Sequence, residues 1–381
     1  MAADVLSMAG HSVSLFEKRK GPGRKLLVAG SSGLNISNAI GPKEFVRQYR
    51  GGTEEFWAQL FKIFSVRDWL SFIEKELHQK TFLGSSGHYF VEGMRASRLL
   101  RAWIHRLANQ GVNFFYHHEL IDFEVTSQGV RLDFKAKVIE YDAVGLALGG
   151  GSWEASLPEW PQMFLGKGIG FESWRPSNVG YQVAWPKGVL QEAEGLPLKN
   201  VVLSVGSQKK QGDLVITRYG IEGAPIYHLG KTGTALIDLE PNLTEAQILK
   251  KCDAVKENHS AIRRVFKKLS LCPATKAVLF HGVPPEKKQN LQELVKWIKA
   301  FPVELLGPQP LSEAISSAGG ITFESFGSDL MLKKYPGVFV AGEMLAWDVP
   351  TGGFLIQGSA SQGFLMGKSI EQFLLKKKCS H

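Results

Sequence analysis

A chain of 381 residues with 44% hydrophobic and 21% charged side chains has the length for two or three domains and the composition of a folded protein, which excludes a lone small module or a disordered chain. Lysine and arginine number 45 against 36 acidic residues, and the resulting net charge of +9 favours anionic ligands without naming one. Three cysteines, none in a CxxC pair, exclude a disulfide framework and point to a reducing compartment, the cytoplasm; no apolar run reaches the roughly 18 residues of a membrane span.

Residues 2–9 place Val5, Leu6, Met8 and Ala9 on one helical face, and Gly10 stands where a left-handed residue would end the helix. An alternating strand over 12–17 follows and finishes on Glu17, the residue order of the second half of a dinucleotide-binding βαβ unit. In such a unit the acidic residue lies about 20 residues after its glycine-rich loop, which puts that loop ahead of Met1. The expectation is therefore that the chain starts inside the first helix of a longer protein and that an in-frame upstream extension encodes the strand and loop. Taken alone, Glu17 reads rather as a surface carboxylate after an edge strand; the blocks that follow it change that.

Residues 21–38, GPGRKLLVAGSSGLNISN, read as a loop rich in glycine, serine and asparagine with two cations, Arg24 and Lys25, able to present backbone N–H groups to an anion. A plain surface loop is the competing reading. Residues 43–78 are helical in period, with Phe45, Phe56, Trp57, Leu60, Phe61 and Phe64 as core, and 81–93 reads as a hairpin. A helix over 95–109 precedes strands at 112–116, 119–126 and 129–134. The apolar run 143–148 then enters Gly149-Gly150-Gly151, as a buried strand near a ligand does. Short strands separated by Gly, Pro and Asn fill 179–240, a helical and lysine-rich pattern fills 241–302, and 337–342 returns to strand before a glycine-rich turn and a helix. His88, His105, His117, His118 and His228 could each donate a proton, although a lone histidine is more often structural.

Five blocks in order, 13–19, 23–38, 146–153, 216–225 and 337–363, resemble the FAD-dependent flavoproteins named after a Haemophilus member, the HI0933-like or BaiN-like family. The likeness covers nearly the whole chain and is closest to the bacterial subgroup carrying ITRYGIEG and RPSNVGYQVAW-like stretches, here 216–223 and 175–185. It implies an α/β fold: a Rossmann-like, three-layer ββα FAD-binding domain (1–178 and 321–381), an inserted β-rich domain (179–240 and 303–320) and a nested helical domain (241–302). Residue by residue it implies that Glu17, with Lys18 beside it, binds the adenosine ribose. Arg24, Lys25, Leu26, Gly30, Ser31 and Asn35 would lie along the cofactor, with Gly149; Gly342 and Glu343 would form a second FAD motif, and Gly352, Gly353 and Phe354 would approach the flavin. A helix N-terminus near Gln357 would favour negative charge on the reduced ring. Arg218 and Tyr219 are the candidates for substrate contact.

Three departures stand against the family pattern. The GxGxxG loop is absent, Gly30-Ser31-Ser32-Gly33-Leu34 replaces a Gly-Gly-Gly-Arg-Cys-like stretch, and no Gly-Ser-Asp-Gly follows Ser152-Trp153. The function implied is an FAD-dependent oxidoreductase that reduces a conjugated C=C bond of a small molecule with NAD(P)H as donor. Two alternatives stay open: an RNA-associated flavoprotein, since related FAD folds include tRNA-modifying enzymes and the chain is basic, and a truncated fragment without activity.

Overall fold

The computed structural model describes residues 1–30, 33–85, 87–135, 137–153, 156–253 and 260–379. They form two compact units, 1–175 with 315–381 and 176–314. The boundaries expected at 178 and 320 compare with 175 and 314.

In the first unit the strand Ser14–Glu17 pairs in parallel with Asn113–Tyr116, with Phe16 opposite Phe115. Phe16 stacks on Phe115 at 4.9 Å and on Phe134 at 4.4 Å, which seats the antiparallel meander Asp122–Val125, Val130–Phe134 and Lys137–Tyr141 over one face of this pair. A second parallel pair joins Val144–Leu146 to Val338–Val340. Its Gly145 lies against Met366 and Ile370 of the long helix Phe354–Cys379, so sheet, strands and helix make the three layers expected of the fold. Among the described residues the four parallel strands are held as two pairs. The helix Ala2–Met8 is tied to Ala96–Asn109 by Asp4, which is buried and meets Arg106 Nε at 2.6 Å.

Residues 21–38 are not the loop expected. Arg24–Ala29 is a helix and Asn35–Asn38 a strand paired antiparallel to His88–Val91. The run Arg-Lys-Leu-Leu-Val-Ala consists mostly of good helix formers, and the glycines lie at its ends. A Cβ on Gly30 would lie 2.4 Å from Ala96 Cβ, so this glycine lets the short helix close on its neighbour. The helical stretch after it is Glu54–Ile63, capped by Thr53, then Val66–Ser71, opened by a reciprocal Ser65–Asp68 capping box. Trp69 is fully buried and its Nε1 donates to the Ile36 carbonyl at 3.0 Å, anchoring the new strand to those helices.

The second unit is a seven-stranded antiparallel sheet in the order 301–305, 233–238, 197–205, 208–217, 220–222, 181–182, 307–308. Leu203, Ile237 and Phe301 of the sheet share one core with Ile248, Val265, Val278 and Leu294 of the helices in 241–302.

Candidate functional site

Glu17 ends its strand at the carboxyl edge of the parallel pair, where ligands of open α/β sheets bind. Its Oε1 accepts the Arg19 N–H at 2.8 Å, which aims the carboxylate back over the strand end. Lys18, between them, is exposed.

The charged centre of the unit is Glu343. Lys25 Nζ donates to Glu343 Oε2 at 3.1 Å and to the Gly150 carbonyl at 2.8 Å, and the Ser317 N–H and Ser152 hydroxyl donate to Glu343 Oε1 at 3.1 and 3.3 Å. The Glu343 side chain is only 10% exposed, so these bonds are shielded from water. A Cβ on Gly150 would lie 2.2 Å from Ser317 Oγ, and one on Gly149 3.7 Å from Lys25 Nζ. Lys25, Gly149 and Glu343, read separately in the sequence, are thus one cluster. Lys25 and Glu343 are each other's partners and fix the Gly149–Gly151 turn. Arg24 sits at the rim and donates to the Trp153 carbonyl at 2.8 Å.

Next to Glu343, Gly342 holds φ +85° with open space where a side chain would stand. Its N–H donates to Gln362 Oε1 at 2.6 Å and its carbonyl accepts from Trp347 Nε1 at 2.8 Å. Gly352 and Gly353 lead into the long helix, pressed against the strand Asn35–Asn38. Asn38 Nδ2 donates to the Gly352 carbonyl at 3.3 Å, and a Cβ on Gly352 would lie 3.0 Å from His88 Nε2. Burial holds the His88 imidazole below its ordinary value. Phe354 is buried and its carbonyl accepts from Tyr49 Oη at 2.7 Å; burial pushes that phenol well up. Gln357 is turned inward, accepting the Ser37 hydroxyl at 2.9 Å and donating to Ser361 Oγ at 3.1 Å. Ser37, Asn38, Ser152, Ser317 and Gln362 were not singled out from the sequence. Short polar residues in a strand or a helix carry no periodic signal that marks them.

Of the remaining expected residues, Leu26 and Gly30 pack inside the unit and Ser31 lies outside the described residues. Arg218 and Tyr219 belong to the second unit, in the turn between strands Gln208–Thr217 and Gly220–Glu222. Arg218 is exposed, while the Tyr219 hydroxyl donates to Glu222 Oε1 and Tyr227 Oη to Glu222 Oε2 at 3.4 Å. Burial first, then Glu222, raises both phenols far above their ordinary value, so both keep their protons at neutral pH.

Five buried side-chain atoms of the first unit lack a hydrogen-bond partner among the described residues: the indole nitrogens of Trp103, Trp160 and Trp174, Asn35 Oδ1, on a residue the resemblance places along the cofactor, and Gln362 Nε2, on the side chain bonded to Gly342. Buried polar atoms are nearly always satisfied, and an orphaned acceptor and donor in a unit that also holds the open backbone of Gly342 and the strand-end carboxylate Glu17 fit a polar dinucleotide.

Comparison with known proteins agrees. Residues 1–369 match the family described as HI0933-like protein Rossmann domain. The 3-dehydro-bile acid delta(4,6)-reductase of Clostridium scindens is 23% identical over 391 residues, covering 94% of this chain and 93% of the reductase. The 3-ketosteroid delta1-dehydrogenase of Sterolibacterium denitrificans superposes with a TM-score of 0.51 at 11% identity over 97% of each chain. The E. coli quinol fumarate reductase FrdA does so with a TM-score of 0.50 at 13% identity, over 98% of this chain and 68% of that one. At such identities the structural likenesses speak for the fold alone. With its match over residues 1–369 and its three-layer first unit, the chain belongs to the HI0933-like family and carries the Rossmann-like FAD-binding fold.

Proposed function

We propose that this FAD-dependent oxidoreductase reduces a conjugated C=C bond of a small ketone, with NAD(P)H as electron donor. The observation that carries the reading is the end-to-end alignment with the bile-acid reductase, 94% of one chain on 93% of the other. When bound, FAD supplies the hydride-transfer chemistry, so the protein's part is to bind, orient and tune. Glu17 holds the ribose, and Asn35, Gly149, Gly342 and Gln362 offer polar and open backbone contacts along the dinucleotide. Lys25 and Glu343 fix the turn behind it instead of touching it. At the flavin end, Gly352 and Gly353 bring the backbone close, and the first N–H groups of the helix Phe354–Cys379 favour negative charge there. Arg218 and Tyr219 contact substrate in this reading, the Tyr219 phenol kept protonated beside Glu222.

The test is an anaerobic assay of the FAD-loaded chain with NADH or NADPH and a panel of conjugated and saturated ketones. Nicotinamide should be consumed only with the conjugated members, one equivalent per C=C bond reduced. Reduction of the flavin without turnover of any conjugated ketone overturns the substrate class, and failure of both nicotinamides to reduce it overturns the donor. Glu17→Ala should weaken FAD binding about tenfold or more, because charge-assisted hydrogen bonds contribute roughly 1.5–3 kcal/mol. Unchanged affinity by titration calorimetry would remove Glu17 from the site.

A further inference from the structure

Positive charge is unevenly spread along the chain. Residues 241–302 hold twelve basic and five acidic side chains, a net +7 of the chain's +9. Several of these cations are neutralised locally: Arg264 meets Asp253 and Lys299 meets Asp238 at 2.7 Å, while Lys287 and Lys296 share Glu293 at 2.9 Å. Seven others among the described residues form no ion pair, and five of them stand exposed on two helices. Lys250 and Lys251 on the helix Glu245–Asp253, and Arg263, Lys267 and Lys268 on the helix Ala261–Lys268, are all exposed, and none forms an ion pair within 4.0 Å among the described residues. Lys251 and Lys268 converge on a pocket of about 230 Å³ whose walls include Asn242 and Ser270. One wall is braced by Lys299, which donates to the Glu240 and Leu243 carbonyls at 2.9 and 2.7 Å. The Glu240 carboxyl also lines the pocket; burial, then Asp238, pushes its pKa up, against the pull of Lys251 and Lys299, so Lys251 faces one carboxylate there and Lys268 is the less compensated of the two cations.

We infer that this face binds the phosphodiester backbone of a nucleic-acid strand, with one phosphate seated between Lys251 and Lys268 and its neighbours along Lys250, Arg263 and Lys267. A cluster of exposed cations on two helices, none of them in an ion pair among the described residues, suits the repeated fixed anions of a strand, and binding is driven by release of the counterions condensed on it. An anionic membrane is the poorer match. The apolar side of the helix Ala261–Lys268, with Ala261, Ile262 and Val265, is buried in the core, and among the described residues no large exposed apolar side chain lies on either helix to enter a bilayer. The inference rests on charge placement in the second unit and is independent of the proposed redox reaction.

The test is fluorescence anisotropy of a short single-stranded RNA titrated with the full chain across a salt series. With about five phosphates neutralised, log affinity should fall against log salt with a slope of about −3.5, an approximately 100-fold loss between about 50 and 200 mM. The double variant Lys251→Gln/Lys268→Gln should bind at least about tenfold more weakly at the low salt and flatten the slope by about 1.4. Arg263→Gln/Lys267→Gln, both exposed, should do the same and serves if the first variant fails to fold. Lys209→Gln/Lys210→Gln, which removes the same charge from an exposed strand end of the same unit, should bind like the parent. Equal losses in all three double variants would reduce the effect to net charge and overturn the site, as would absent binding or a flat salt dependence. Binding of the parent to phosphatidylserine vesicles but not to RNA would overturn the nucleic acid in favour of a membrane.

Discussion

Gly353→Ala is expected to cost about 2–5 kcal/mol of stability and to strip flavin from the purified protein. Gly353 holds φ +92°, where an L side chain costs roughly 1–2 kcal/mol, and its added Cβ would stand 2.4 Å from Ser37 N and 2.7 Å from Ser37 Cα. Neither side can yield cheaply. Ser37 is paired with Tyr89 in its sheet and donates to the fully buried Gln357, and Gly353 accepts the Gln357 N–H at 3.0 Å as the first link of the long helix. The relief route is a shift of the turn 352–354, the backbone proposed to meet the flavin. For the flavin-free protein Gly342→Ala is the matched control: φ is +85° but nothing of the protein lies within 4 Å, so about 1–2 kcal/mol of strain should be the whole penalty there. Thermal melts of the two variants with and without FAD decide the point, and a Gly353→Ala protein that melts with or above Gly342→Ala refutes the packing argument.

Glu343→Ala should cost about 2–4 kcal/mol and weaken flavin binding by an order of magnitude. Removing the carboxylate leaves Lys25 Nζ, 29% exposed on its side chain, with the Gly150 carbonyl as its partner, and strands the Ser317 N–H in a place water reaches poorly. Glu343→Gln keeps an acceptor for Ser317 while losing the charge, so it should fall between parent and alanine variant. If the cluster fixes the Gly149–Gly151 turn, Lys25→Met/Glu343→Leu should recover part of the stability of the single alanine change, because no unpaired charge is then left behind. Denaturant titration of these proteins together with the single variants Lys25→Met and Glu343→Leu closes the cycle, and purely additive losses would show that the two residues do not act as a pair.

Much of the local structure was legible in the residues. The amphipathic run of Ala96–Asn109, the hairpin strands Thr81–Leu83 and His88–Val91, and the strand ending on Glu17 follow from apolar spacing and turn residues within a few positions of each other. The segment 21–38 failed for a related reason. Counting glycines and serines hid the six-residue helix that begins at Arg24, and whether so short a helix forms depends on what it packs against, here Ala96 on another helix.

The sequence by itself determined the helix over 96–109, the hairpin in 81–93, the strand ending on Glu17, the charge surplus of 241–302, and the residue types at the strand ends. Only the tertiary structure decided which of them meet. Lys25 and Glu343 are 318 positions apart and Ser37 and Gln357 are 320, yet each pair is in hydrogen-bond contact. It also decided that Tyr219 donates to Glu222, that Gln357 faces inward while Gln362 has an unused donor beside Gly342, and that Lys251 and Lys268 share a pocket. Local propensity acts through neighbours within about one helical turn or one strand pair. Contacts across three hundred residues exist only after burial of the common core has met the entropic cost of closing the chain.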